Sequence, residues 1–121
     1  MAKSALIIDD NTNNLLLEKD MLELAGFEVY LAENATLGIS LAKEKRPGII
    51  IMDMRLPDMR GSDAAKILLQ YPETRDIPVV FVTASVLSEG IEEIRTIPNA
   101  VFISKPINTR TFAAEVIQLM K

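Results

Sequence analysis

Ile49-Ile50-Ile51-Met52-Asp53-Met54-Arg55-Leu56-Pro57 carries four apolar residues into a carboxylate and then into a turn. A strand buried on both faces reads as an unbroken apolar run, so this stretch places Asp53 at the carboxyl end of such a strand. The pattern recurs. Ala5-Leu6-Ile7-Ile8 ends in Asp9-Asp10, Val79-Val80-Phe81-Val82 ends in Thr83, and Val101-Phe102-Ile103-Ser104 ends in Lys105-Pro106. In open parallel sheets the ligand site lies beyond the carboxyl ends of the strands. Three acids, a hydroxyl and an ammonium are therefore expected to meet at one edge of one sheet.

Around these runs the chain alternates regularly. Strands are expected at Ala5 to Ile8, Glu28 to Ala32, Ile49 to Met52, Val79 to Thr83 and Val101 to Ser104. Helices are expected between and after them, at Thr12 to Ala25, Ala35 to Lys45, Ser62 to Gln70, Ser88 to Thr96 and Thr109 to Met120. Gly26 sits where a helix C′ glycine belongs, Pro47 follows the second helix, and Pro72 and Pro78 frame the loop before the fourth strand. Successive strand–helix units with right-handed crossovers give a parallel sheet covered on both faces. The second strand, Glu28-Val29-Tyr30-Leu31-Ala32, mixes polar with apolar residues and suits an edge.

The 121 residues fit one domain, 1–121, with one core. With 49% apolar and 25% charged residues the composition is that of a soluble globular protein, and the apolar runs are too short to span a bilayer. Met1-Ala2-Lys3-Ser4 leads into the first strand without a separate signal-peptide core, so a cytoplasmic location is expected and no membrane association. There are no cysteines and no histidines, which excludes disulfides, thiolate or imidazole metal sites, and any phosphohistidine carried by this chain. The formal charge of −4, without a basic stripe, argues against direct nucleic-acid binding.

Asp9-Asp10 suits a helix N-cap, with Asp10 or Asn11 accepting backbone N–H bonds. Asp53 on the adjacent strand adds a third acid, and like charges brought together need compensation. A divalent cation supplies it. Mg²⁺ takes hard oxygen ligands in octahedral geometry, with Asp10 and Asp53 as direct ligands and Asp9 direct or through water. Lys105, at a strand end and followed by proline, is suited to pair with Asp53 or with phosphoryl oxygens, while Thr83 is either a β-branched strand residue or a hydroxyl donor to a phosphoryl group.

Together, Asp9-Asp10, Ile51-Met52-Asp53-Met54-Arg55-Leu56-Pro57, Thr83-Ala84 and Lys105-Pro106 resemble the receiver domain of two-component response regulators, over the whole chain. The details are most similar to stand-alone receivers and to receivers of hybrid histidine kinases. The resemblance implies an α/β, flavodoxin-like fold, a doubly wound five-stranded parallel sheet of order 2-1-3-4-5. It implies that Asp53 is the phospho-acceptor and that Asp9, Asp10, Asp53 and the main-chain carbonyl of Arg55 hold Mg²⁺. Thr83 and Lys105 would contact the phosphoryl group, and Phe102 would be an aromatic switch that turns inward when Thr83 moves. Arg55 and Ser85 would border the path of the water that hydrolyses the aspartyl phosphate. Gly48, Arg60 and Ile97-Pro98 depart from the usual family pattern, away from the acids.

The expected phosphodonor is a histidine kinase or histidine phosphotransfer protein, and the expected target a downstream protein or output domain. The readout would be felt on the face of the expected helix at 88–96, the last strand and the last helix. Exposed charges there, such as Glu92, Glu93, Arg95 and Arg110, read as solvated, which favours a monomer. Rival readings are a degenerate receiver that only binds partners, a haloacid-dehalogenase-like phosphatase, which needs an acid where Arg55 stands, and a flavin or dinucleotide carrier, whose phosphates Asp9-Asp10 would repel.

Overall fold

The computed structural model describes residues 3–83, 95–104, 108 and 110–119, and the side chains of all of these except Thr83 and Ser104. Within them the chain runs β1 (Lys3–Ile8), α1 (Thr12–Leu24), β2 (Phe27–Ala32), α2 (Ala35–Lys45), β3 (Ile49–Asp53), α3 (Gly61–Leu68), β4 (Val79–Thr83), β5 (Ala100–Ser104) and α4 (Phe112–Leu119). Most of the helix expected at 88–96 lies outside the described residues, as do Ala84, Ser85, Lys105 and Pro106.

The strands form one sheet of order β2-β1-β3-β4-β5, with every pairing parallel. This is the expected order. β1 and β3 are each paired on both sides, and β2 is at an edge, as its mixed composition suggested. Because side chains alternate along a strand, each strand supplies two cores. Leu6, Ile8, Ile50, Met52, Val79 and Phe81 face α2 and α3, where Ala35, Ala42, Ala64, Ala65 and Leu68 meet them. Ala5, Ile7, Ile49, Ile51, Val80 and Val82 face α1 and α4, against Leu15, Leu22, Phe112 and Val116. Small alanines on α2 and α3 bring those helices close to the sheet, while bulkier leucines and Phe112 fill the other side.

Local chemistry sets the element ends. Asn11 and Asn34, both extended, cap α1 and α2 by accepting the N–H groups of Asn14 and Leu37. Gly26, at φ 94°, closes α1 in a conformation that costs other residues more, and Arg46 in the left-handed region ends α2 one residue before Pro47. The last helix begins later than expected. Asn108 accepts the Arg110 N–H with its side chain and the Thr111 and Phe112 N–H groups with its carbonyl, so a turn precedes the first helical residue.

Candidate functional site: an acidic cluster at the carboxyl end of the sheet

Register builds the site. Ile8 pairs with Met52, so Asp9 and Asp53, the next residues, stand side by side where β1 and β3 end. The Asp9 N–H still donates to the Ala32 carbonyl at 3.0 Å, so this residue is held by the sheet although its side chain lies beyond it. Asp53 is in turn level with Val82, which puts Thr83 one step further along β4 and opposite Ser104 on β5. The topology thus delivers Asp9, Asp53 and Thr83 to one end of three adjacent strands. Lys105 and Ser85 lie outside the described residues.

One carboxylate oxygen of each of Asp9, Asp10 and Asp53 lies within 4.8 Å of the other two. Asp9 is buried, Asp53 half-buried and Asp10 exposed, so the cluster is open on one side. Asp9 is a braced group: Oδ1 accepts the Asn11 N–H at 2.9 Å and Oδ2 the Asn14 Nδ2 at 3.4 Å. Of the two cap candidates it is Asn11 that caps α1, which leaves Asp10 turned to the cluster. The Asp53 Oδ1 accepts the Arg55 N–H at 3.1 Å, which orients the Asp53 carboxylate and brings the Arg55 main chain beside it.

The donor set fits Mg²⁺. Three hard anionic oxygens, one side open to water or a phosphoryl oxygen, and like charges that repel without a cation are what such an ion requires. Asp10 and Asp53 could ligate such an ion directly, and Asp9 directly or through water.

Phe102 stands on β5 level with Phe81. It is 37% exposed, on the edge of a shallow cleft shared with Ile103, Thr111, Ala114 and Glu115.

Two features of the site had no signal in the local sequence. Gly61, the first residue of α3, lies so close to the end of β3 that a Cβ there would overlap the Asp53 carbonyl oxygen. A side chain is excluded at that contact. Asp58, at the tip of the loop between β3 and α3, bonds to the start of α2. Its Oδ1 accepts the Ala35 N–H at 2.9 Å, and its Oδ2 accepts the Thr36 N–H at 2.8 Å and the Thr36 hydroxyl at 2.6 Å. The Thr36 hydroxyl first, and then the Ala35 amide, hold this carboxyl down at about 2. The departure at Arg60 also shows its effect, since α3 starts without a side-chain cap.

The profile of the response regulator receiver domain matches residues 5–117. The chain is 38% identical to the polar-differentiation response regulator DivK of Brucella anthropi over 112 residues, covering 93% of this chain and 91% of that one. It is 37% identical to DivK of Brucella ovis over the same shares. Its fold superposes on the chemotaxis response regulator CheY4 of Vibrio cholerae with a TM-score of 0.91 at 22% identity, covering 98% of this chain and 99% of that one. The receiver domain of sensor histidine kinase PA1611 of Pseudomonas aeruginosa, solved with a magnesium ion in its active-site cleft, gives 0.89 at 23% identity over 99% and 98%.

Proposed function

The chain belongs to the response regulator receiver family, whose function is phosphorylation-dependent switching, and on that footing we propose that Asp53 is its phospho-acceptor and that residues 1–121 act as one receiver domain. The observation that carries this reading is the convergence of Asp9, Asp10 and Asp53 within 4.8 Å at the ends of two central strands, with the Arg55 N–H on the acceptor carboxylate. Receivers bind Mg²⁺ at an acidic pocket of this kind. Here Asp10, Asp53, the Arg55 carbonyl and, directly or through water, Asp9 would hold it.

An oxygen of Asp53 attacks the phosphorus of a phosphohistidine on the donor protein in line. The P–O bond forms as the P–N bond breaks, and the imidazole leaves with its electron pair. When bound there, Mg²⁺ would supply positive charge to the phosphoryl oxygens. Lys105 adds a second cation there, and the Thr83 hydroxyl donates to a phosphoryl oxygen. The new group brings roughly two negative charges, which draw Thr83 inward and free space that Phe102 fills. Arg55 and Ser85 border the path of the hydrolytic water.

Receivers work between histidine kinases and output partners. For this chain the donor is a histidine kinase or histidine phosphotransfer protein, consistent with the absence of histidine here. Its setting is the cytoplasm, as a monomer, and among the described residues no helix is long and apolar enough to cross a membrane. The intact acidic trio favours this reading over a degenerate, binding-only module.

Asp53→Asn tests it. With acetyl phosphate and Mg²⁺ the parent chain should gain one phosphoryl group by intact mass, and the variant none, since an amide is a poor nucleophile and a weaker metal ligand. An undiminished adduct on the variant would move the acceptor elsewhere.

A further inference from the structure

The loop joining β3 to α3 is tied at three heights. At its base the Gly61 N–H donates to the Met54 carbonyl at 2.8 Å. In the middle Arg55 and Arg60 form an isolated antiparallel bridge. At the tip Asp58 bonds to Ala35 and Thr36, 23 and 22 residues away in sequence.

These two amides belong to the first turn of α2, where N–H groups lack helical partners and the helix dipole favours an anion. Asn34 caps only the Leu37 amide, so Asp58 completes the cap from a distant loop. The consequence reaches the acidic cluster. α2 is seated on the sheet through Ala35 and Ala42, both fully buried in the core that also holds Ile8 of β1. Asp9 and Asp10 follow β1, while Asp53 and Arg55 belong to β3 and its loop. Asp58 therefore closes a frame in which the two halves of the cluster are joined once by the β1–β3 ladder and again by the strap from the loop to α2.

We propose that Asp58 is a positioning residue for the cation site, fixing the height of the Arg55 main chain beside Asp53 by pinning the loop tip to α2. This rests on the reading that Asp10, Asp53 and the Arg55 carbonyl hold Mg²⁺. The loop keeps other anchors, because Leu56 and Met59 are partly buried against the core, so removing the carboxylate slackens the loop without unfolding the domain.

Calorimetric titration of Mg²⁺ into the parent, Asp58→Ala and Thr36→Val separates positioning from plain stability. Asp58→Ala should raise the Mg²⁺ dissociation constant about tenfold, at the lower end of outer-shell effects on metal sites. Thr36→Val, which removes one of three bonds, should shift it less and in the same direction. Phosphoryl uptake by Asp58→Ala from acetyl phosphate should be slow at low Mg²⁺ and return to the parent rate at saturating Mg²⁺. A parent that binds Mg²⁺ and forms the adduct, beside an Asp58→Ala variant with the same dissociation constant and only a lower melting temperature, would overturn the positioning role alone. A parent that does not bind Mg²⁺ would overturn the reading beneath it as well.

Discussion

β3 and β5 are both five-residue parallel strands, yet they are held very differently. β3 is paired on both sides, and Ile49, Ile50, Ile51 and Met52 are no more than 1% exposed. β5 is paired with β4 alone among the described residues, and Val101 and Phe102 are 38% and 37% exposed. Any slide of β3 would break two ladders and two packed faces at once, so Asp53 is held at a fixed height. An aromatic side chain on the edge strand can exchange solvent for a pocket at small cost. The roles proposed for Asp53 and Phe102 would require the first condition for chemistry and the second for signalling.

The contrast can be broken by truncating one residue in each strand. Ile50→Ala should cost about 3 kcal/mol, in the range for a fully buried isoleucine. Phe102→Ala should cost less, about 1–2 kcal/mol, because about a third of the residue is already in water. Urea unfolding followed by far-UV circular dichroism measures both, and equal losses would remove the distinction between centre and edge.

A smaller effect concerns Arg55 and Ser85, which we propose border the water path. A long guanidinium at Arg55 can pair with phosphoryl oxygens and cover the in-line approach, whereas Ser85 is too short to orient water. Replacing Arg55 by Asn and Ser85 by Glu together should speed loss of the phosphoryl group about tenfold, equivalent to about 1.4 kcal/mol of barrier. Phosphate release from parent and double variant at one Mg²⁺ concentration checks it. Equal lifetimes would mean that these side chains do not govern water access.

The smallest effect asks whether the rigidity of β3 extends through its loop. The Asp58 carboxyl titrates at about 2 in the folded chain against an ordinary value of 3.8. A depressed folded value means that the ionised form stabilises the fold: its contribution is complete above the ordinary value and is lost as pH falls through about 2. The stability gap between the parent and Asp58→Ala should therefore be constant from about pH 5 upward and close toward pH 2, modestly, since the carboxylate is solvent-exposed. Urea midpoints of both chains across that range decide the matter, and a gap that ignores pH would show that the charge contributes nothing.

Much of this was legible in the sequence because buried parallel strands announce themselves. Val79–Thr83 and Ala35–Lys45 fall where the apolar run and the Pro47 signal place them. The acids were legible for the same reason, since a charged residue that ends an apolar run has its position fixed by the strand. Asp58 was not, because in Leu56-Pro57-Asp58 it reads as an ordinary turn residue and its partners lie 22 and 23 residues upstream. Gly61 was equally silent. Its meaning is a contact with the Asp53 carbonyl that exists only after α3 has packed. The start of the last helix was misplaced because Asn108 uses both side chain and carbonyl to make a turn that periodicity cannot reveal.

We propose that the phosphoryl group taken up by this chain resides on Asp53. Borohydride reduces an aspartyl phosphate to homoserine, so brief treatment with acetyl phosphate and Mg²⁺, then reduction and peptide mass mapping, marks the acceptor covalently. Homoserine is expected at position 53, dependent on Mg²⁺. Reduction at Asp9 or Asp10 with Asp53 untouched would contradict it.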